Sequence, residues 1–287
     1  MANIPIRHIH ESTIEPVLSG DFNIRTLEAL SNGNAMKESL HRHDFFYMLF
    51  VTKGSGSHEI DFVSYEVSGH SVFLMRPGQV HQLELHAGSE GYIVQFRTDF
   101  FHLQNLPAKE LLRKVSHKKL YALEERNFSR LKTILDYIAT EFSERQEGYE
   151  EVIKSSLNIF FIELVRHRRN KEGNTTPDNN YAQEKLGKFF DLLETDITLQ
   201  KQFSYYADKL NLSLYQLGAI TKSLLDKTPT EVISDHVILE AKRLLLATSG
   251  QVNQIAYNLG YDDPSYFIRF FKKNTGHSPE SYRNISR

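Results

Sequence analysis

At 287 residues, with 34 Lys and Arg against 36 Asp and Glu, the chain is long enough for two domains and close to neutral, with a formal charge of −2. It has no cysteine, which excludes disulfides and thiolate metal sites and fits a reducing compartment. No run approaches the roughly 18 apolar residues of a membrane span, and the opening MANIPIRHIHESTIEP has no apolar stretch of the signal-peptide kind, so a soluble cytoplasmic protein without membrane contact is expected.

From Phe22 to Arg97 the chain is written in short alternating or apolar runs: Tyr47 to Val51, His58 to Phe62, Ser71 to Met75 and Tyr92 to Phe96. Gly54-Ser55-Gly56, Gly69 and Pro77-Gly78 break them. Strands of that length and spacing predict a small barrel or jelly roll. On a strand, His41 and His43 project to one side together with Phe45 and Tyr47, Asp44 points to the other, and His81 follows the Pro77-Gly78 turn. Local spacing reveals no Ser-His-Asp or Cys-His arrangement and no glycine-rich phosphate loop, so no catalytic residue is assigned.

After the barrel the pattern turns helical. Leu131, Ile134, Leu135, Ile138 and Phe142 form one stripe, and Ile153, Leu157, Phe160, Phe161 and Leu164 a second, either covering the barrel or forming a dimer contact. The run Arg166-His167-Arg168-Arg169 suits the end of that second helix better than DNA. NKEGNTTPDNN, Asn170 to Asn180, has almost nothing to bury and reads as a flexible linker.

The remaining residues write one pattern twice. Tyr206-Ala207, Leu210 and Ser213 recur at an offset of about 49 as Ile255-Ala256, Leu259 and Asp262. After a one-residue slip, Leu217, Ile220, Lys222 and Pro229 answer to Phe267, Phe270, Lys272 and Pro279. In the second copy Gly260 ends one helix by taking positive φ, Asp263 caps the next, and Pro264 opens it without losing a hydrogen bond. Phe267, Phe270 and Phe271 then face inward, leaving Ser265, Ile268, Arg269, Lys272 and Lys273 on a cationic outer side. In the first copy Asn211 takes the helix-ending position and Ser213 the cap. Leu217, Ile220 and Leu224 face inward, and Tyr215, Gln216, Gly218, Ala219 and Lys222 outward. Between the copies, Thr228-Pro229-Thr230-Glu231 is a capping box opening a helix to about Thr248, a connector of roughly 28 Å. Two modules on its ends would place their outer helices about one DNA turn apart, roughly 34 Å. Tyr181 to Arg287 holds 13 Lys and Arg against 12 Asp and Glu, but from Lys242 onward the balance is 7 against 3, so positive charge gathers on the second module.

On these motifs Lys185 to Arg287 resembles the DNA-binding domain of AraC-type (AraC/XylS) transcription regulators. The match is sharpest at Ile255, Ala256, Leu259-Gly260-Tyr261, Ser265-Tyr266-Phe267, Arg269, Phe271-Lys272, Gly276, Ser278-Pro279 and Tyr282-Arg283. The resemblance implies base reading by Tyr215, Gln216, Gly218 and Ala219 in the first module and by Ser265 and Arg269 in the second. Gly218 and Ala219 bring no hydrogen-bonding side chain, and Val237 stands where many members carry Arg, so the first module is expected to read fewer bases. HRHDFFYMLFVTKGSG followed by GHSVFLMRPGQVH is similar to the two cupin motifs as they occur in the sensor domains of this family. Metal-binding cupins gather two such histidines, a following Glu and the later His on one ion. Here Tyr47 stands in place of that Glu, and a phenol of pKa about 10 is a poor ligand. No metal and no cofactor is therefore assigned, with a three-histidine zinc site as the alternative; the histidines are expected either hydrogen-bonded inside the barrel or, as His41, His43, Tyr47 and His81, lining an effector pocket with His43, Tyr47 and His81 at its mouth.

The expected architecture is α+β in two domains. Residues 1–169 form a cupin-like β-barrel followed by helices, for effector sensing and dimerisation. Residues 170–180 are the linker, and residues 181–287 an all-α double helix-turn-helix. The expected function is non-enzymatic: a sequence-specific, ligand-responsive transcription regulator, acting as a homodimer on double-stranded promoter DNA under a small-molecule effector of unknown identity, with RNA polymerase a possible partner. The family has more activators than repressors, and these residues do not decide the sign. The alternatives are a cupin-type metal-dependent enzyme with a helical appendage, and a constitutive regulator whose barrel only dimerises.

Overall fold

The computed structural model describes residues 6–7, 21–101, 106–171, 177–247 and 250–285. They fall into two compact units that meet in sequence at residues 174 and 175. The first unit runs β1 (Ile6–Arg7), β2 (Phe22–Thr26), α1 (Leu27–Ser31), β3 (Met36–His43), β4 (Phe46–Lys53), β5 (Ser55–Ile60), β6 (Val63–Ser68), β7 (Ser71–Met75), β8 (Val80–Leu85), β9 (Glu90–Phe96), α2 (Leu106–Ser116), β10 (Leu120–Ala122), α3 (Glu125–Glu144) and α4 (Tyr149–Lys171). The second runs α5 (Pro177–Asp196), α6 (Phe203–Lys209), α7 (Leu214–Leu225), α8 (Pro229–Ala247), α9 (Val252–Asn258), α10 (Pro264–Thr275) and α11 (Pro279–Ile285).

The strands make two five-stranded sheets, ordered β1-β3-β8-β5-β6 and β10-β7-β4-β9-β2. The chain passes from the first to the second at Asp44-Phe45, so the stretch read as one continuous strand has a corner after His43. Inward parity survives that corner: Phe45, Tyr47, Leu49 and Val51 join Ile60, Val67, Leu83 and Leu85 in a core between the sheets. The alternate residues Phe46, Met48 and Phe50 pack under the helices with Leu131, Leu135, Ile138, Ile153, Leu157, Phe160, Phe161 and Leu164. β4 is buried on both faces, which is why its sequence is an unbroken apolar run instead of an alternation. Both helical stripes thus cover the barrel. The run ending in Phe62 is shorter than expected. β5 stops at Ile60, and Asp61 and Phe62 form a two-residue hairpin turn, both at positive φ (51° and 67°).

The second unit has one core, to which α5 contributes Leu186, Phe189 and Leu193, α7 Leu217 and Ile220, α8 Val232, Ile233, Val237, Ile238, Ala241 and Leu245, and α10 Phe267 and Phe271. α5 was not anticipated from periodicity. α4 continues to Lys171 and Pro177 opens α5, so helices occupy both ends of the 170–180 stretch, while 172–176 lie outside the described residues. The repeat extends to single hydrogen bonds. After α6, Asn211 takes φ 53° and the Leu212 N–H donates to the Ala207 carbonyl at 2.9 Å. After α9, Gly260 takes φ 73° and the Tyr261 N–H donates to the Ala256 carbonyl at 3.0 Å. The next helix ends also correspond, Asp226 at φ 56° and Gly276 at φ 80° each donating a backbone N–H to the carbonyl of Lys222 or Lys272. Ser213 and Gln216 form a reciprocal capping box on α7, and the Asp263 carboxylate accepts the Ser265 N–H at 2.8 Å on α10. Thr228 and Glu231 cap α8 as expected, the Thr228 N–H donating to the Glu231 carboxylate at 2.7 Å and the Glu231 N–H to Thr228 Oγ1 at 3.3 Å. α8 runs to Ala247, and Thr248, the expected end, lies outside the described residues. Arg283, buried in α11, closes the end of α8 by donating to the carbonyls of Leu245 (3.0 Å) and Gly250 (2.6 Å).

Asn211 and Gly260 share a conformation but not an environment: a Cβ on Gly260 would collide with the Thr198 carbonyl. Gly260→Ala is expected to destabilise by about 2–4 kcal/mol, from left-handed strain plus overpacking. Asn211→Gly is expected to change stability by less than about 1 kcal/mol. Guanidinium unfolding of the two variants measures the difference, and equal losses would contradict the close-approach argument.

Candidate DNA-reading faces and barrel cluster

On α7 the expected reading residues emerge on one side. Tyr215 is 85% exposed, Gln216, Ala219 and Lys222 are exposed, and Gly218 is half-buried with open space where a Cβ would stand. Two of these are already engaged. The Gln216 side-chain oxygen accepts the Ser213 N–H at 2.8 Å, and Lys222 pairs with Asp226 at 2.6 Å. That pairing raises the Lys222 pKa and lowers that of Asp226, each chiefly through the side-chain hydrogen bond between them.

On α10 Ser265, Arg269, Lys272 and Lys273 are exposed, and the three cations make no ion pair among the described residues. Ile268, expected on the outer side, is half-buried against the core, as its apolar side chain favours. Tyr266, 57% exposed, shares the outer face by its i+3 relation to Arg269 and is not among the expected reading residues.

In the barrel, His41, His43 and His81 stand together and are buried, with Tyr47 stacked on His43 at 5.2 Å between ring centres and 5.1 Å from His81. All four expected effector residues therefore sit together, but inside the barrel and not at its mouth, because inward-facing positions of facing strands meet in the interior. The three Nε2 atoms converge: 3.1 Å from His41 to His43, 2.8 Å from His43 to His81 and 3.0 Å from His81 to His41. Strand pairing explains the meeting, since His41 lies opposite His81 in the β3–β8 register and His43 follows two residues on.

Two further residues join the cluster. His58 Nε2 lies 2.9 Å from His81 Nδ1, and burial, with a smaller contribution from His41, lowers the His58 pKa to about 3, so its ring is neutral. Glu38 Oε2 lies 3.4 Å from His41 Nε2. Glu38 is three residues before His41, which on a regular strand puts it on the opposite face. The β3–β8 register shifts between them, pairing Glu38 with Leu83 and His41 with His81. That bulge brings both residues to the inner side. It also leaves the Ser39 carbonyl 2.7 Å from His41 Nδ1, which fixes that nitrogen as the donor and Nε2 as the lone-pair nitrogen of the neutral ring. A bulge has no signature in the period of two, so parity alone could not find Glu38.

Comparison with known proteins agrees with this division. The family described as AraC-like ligand binding domain matches residues 23–109, and the family described as helix-turn-helix domain matches residues 206–285. The HTH-type transcriptional activator RhaS of Enterobacter sp. (strain 638) is 26% identical over 249 residues, covering 85% of this chain and 86% of that protein. RhaS of Escherichia coli O6:H1 is 25% identical over 250 residues with the same coverage. Among solved structures, ToxT from Vibrio cholerae O395 aligns over 93% of this chain and 98% of its own at 19% identity and a TM-score of 0.44. The C-terminal domain of the response regulator yesN from Fusobacterium nucleatum aligns over 33% of this chain and 93% of its own at 31% identity and a TM-score of 0.31. A family of AraC-like ligand-binding domains thus matches ahead of a helix-turn-helix family, and the chain is homologous to AraC-type transcription regulators such as RhaS.

Proposed function

We propose that the outer faces of α7 and α10 read adjacent stretches of promoter DNA while the barrel binds a small effector that sets whether they can do so. The reading rests chiefly on one observation. Two capped helices share a single core and expose Tyr215, Gln216, Ala219 and Lys222, beside the half-buried Gly218, on one, and Ser265, Arg269, Lys272 and Lys273 on the other. Ile268, half-buried, serves better as support for Arg269 than as a base contact. α10 supplies the electrostatic anchor, because its cations are unpaired among the described residues, whereas Lys222 must leave Asp226 to meet a phosphate. His41, His43, Tyr47 and His81 are the effector-side residues, and an effector regulates only if it binds one arrangement of the chain better than another.

The relatives are named transcriptional activators, which favours activation and contact with RNA polymerase here. We read the chain as a regulator and not an enzyme, acting in the cytoplasm where its DNA lies. No helix among the described residues is long and apolar enough to cross a membrane. Self-association through α3 and α4 is supported by Tyr137 and Ile159, half exposed on helices whose main apolar stripes already cover the barrel. Sedimentation should show a dimer in the presence of DNA; a monomer at micromolar concentration both with and without DNA would contradict it.

Arg269→Ala is expected to weaken specific binding by about 1–3 kcal/mol, and Lys273→Ala to lower affinity for all sequences alike and flatten the salt slope. Gel-shift titrations on selected and random duplexes distinguish them, and equal loss on both duplexes for Arg269→Ala would contradict base reading. Asp226→Asn keeps a residue that tolerates positive φ while freeing Lys222. It should raise non-specific affinity about two- to five-fold at low salt, a gain that fades by about 0.5 M salt; unchanged affinity would mean that Lys222 does not face phosphate.

A further inference from the structure

We propose that the barrel of this regulator is a site for a divalent first-row transition metal ion, held by Nε2 of His41, His43 and His81 with the Glu38 carboxylate beside it. The argument begins from proton counting. Each Nε2 is either a donor or an acceptor, so among three in mutual contact at 2.8–3.1 Å at least two are alike. At least one contact then opposes lone pair to lone pair, or N–H to N–H, among three buried rings. A cation removes it, because all three nitrogens then serve as lone-pair donors. Two imidazoles bound to one ion at about 2.0–2.1 Å lie about 2.8–3.4 Å apart for ligand angles between right and tetrahedral. The three separations found here fall in that interval.

The surroundings orient the ligands as a metal site requires. His41 Nδ1 donates to the Ser39 carbonyl at 2.7 Å, leaving its Nε2 lone pair directed inward, and His81 Nδ1 is held at 2.9 Å by the buried His58 ring. Glu38, with a side chain about one-fifth exposed, supplies negative charge 3.4 Å from His41 Nε2. The donor set of imidazoles plus one carboxylate suits zinc, iron, nickel or copper and not magnesium or calcium. The carboxylate is not at the position the cupin pattern gives it, where Tyr47 stands, but three residues before the first histidine, carried inward by the bulge. The absence of Glu at position 47 is therefore no objection. This inference deepens the reading of the barrel as a ligand-binding domain by naming the chemical class of what it holds, and can fail without it.

Full-length protein, stripped with EDTA and dialysed, is titrated with Co2+ and with Zn2+, and bound metal is quantified by mass spectrometry alongside visible absorption and thermal melting. The expected result is about one ion per chain, a visible Co2+ ligand-field band and a raised Tm. His43→Gln and His81→Gln should each lower affinity at least about 100-fold and Glu38→Gln about 10-fold, while the surface substitution His86→Gln leaves uptake unchanged. Should the buried histidine variants not fold, X-ray absorption of the Co2+-loaded wild-type protein decides instead, with a three-imidazole shell expected. Less than about 0.1 ion per chain, undiminished uptake by folded histidine variants, or an absorption spectrum without imidazole ligands would overturn the site. An organic compound that raises the Tm of a chain binding neither metal would overturn the metal site and leave the barrel's ligand-binding role standing.

Discussion

The packing of α8 against both helix-turn-helix pairs is the constraint on which DNA recognition depends. Its inward residues, from Val232 to Leu245, enter the same core as Leu217 of α7 and Phe267 of α10. Each such side chain contributes up to about 1.5–3 kcal/mol by leaving water. Separating the modules would expose many at once, so the two outer faces move as one body. Val237 matters here. It buries an apolar side chain at the centre of the connector, which strengthens the joint. Arg283 completes it from α11, placing a guanidinium where the end of α8 leaves carbonyls without helical partners.

The barrel poses a different problem, because it brings several polar side chains together in an apolar interior. β3 and β8 deliver histidines from neighbouring strands, β4 lays Tyr47 across them from the facing sheet, and β5 adds His58. Such a cluster is costly in a core unless its members satisfy one another or share a ligand. The cluster rests against Tyr47 of the second sheet, whose other face is covered by α3 and α4.

Much of this was legible in the chain because it depends on local stereochemistry. Gly260, Asp263 and Pro264 each have one strong reason to stand where they do, and their roles follow without knowledge of the rest of the fold. The buried stripes of α3 and α4 likewise follow from spacing. What escaped depends on pairing partners. The bulge that turns Glu38 inward exists only against β8, the corner at Asp44-Phe45 only because two sheets face each other, and the Asp226 brake on Lys222 only once the helix end is formed. His58 lay in a run that read as an ordinary strand, and nothing in that run says which strand will lie beside it.

The central claim is that one rigid domain offers two reading faces to successive turns of the duplex. Selection of bound sequences from a random duplex library, followed by hydroxyl-radical footprinting of the enriched site, tests it most directly. The account predicts two protected stretches per domain about 10 base pairs apart on one face of the DNA, with only one of them lost when Arg269 is replaced by Ala. Enrichment of no sequence, or a single protected stretch unaffected by that replacement, would contradict it.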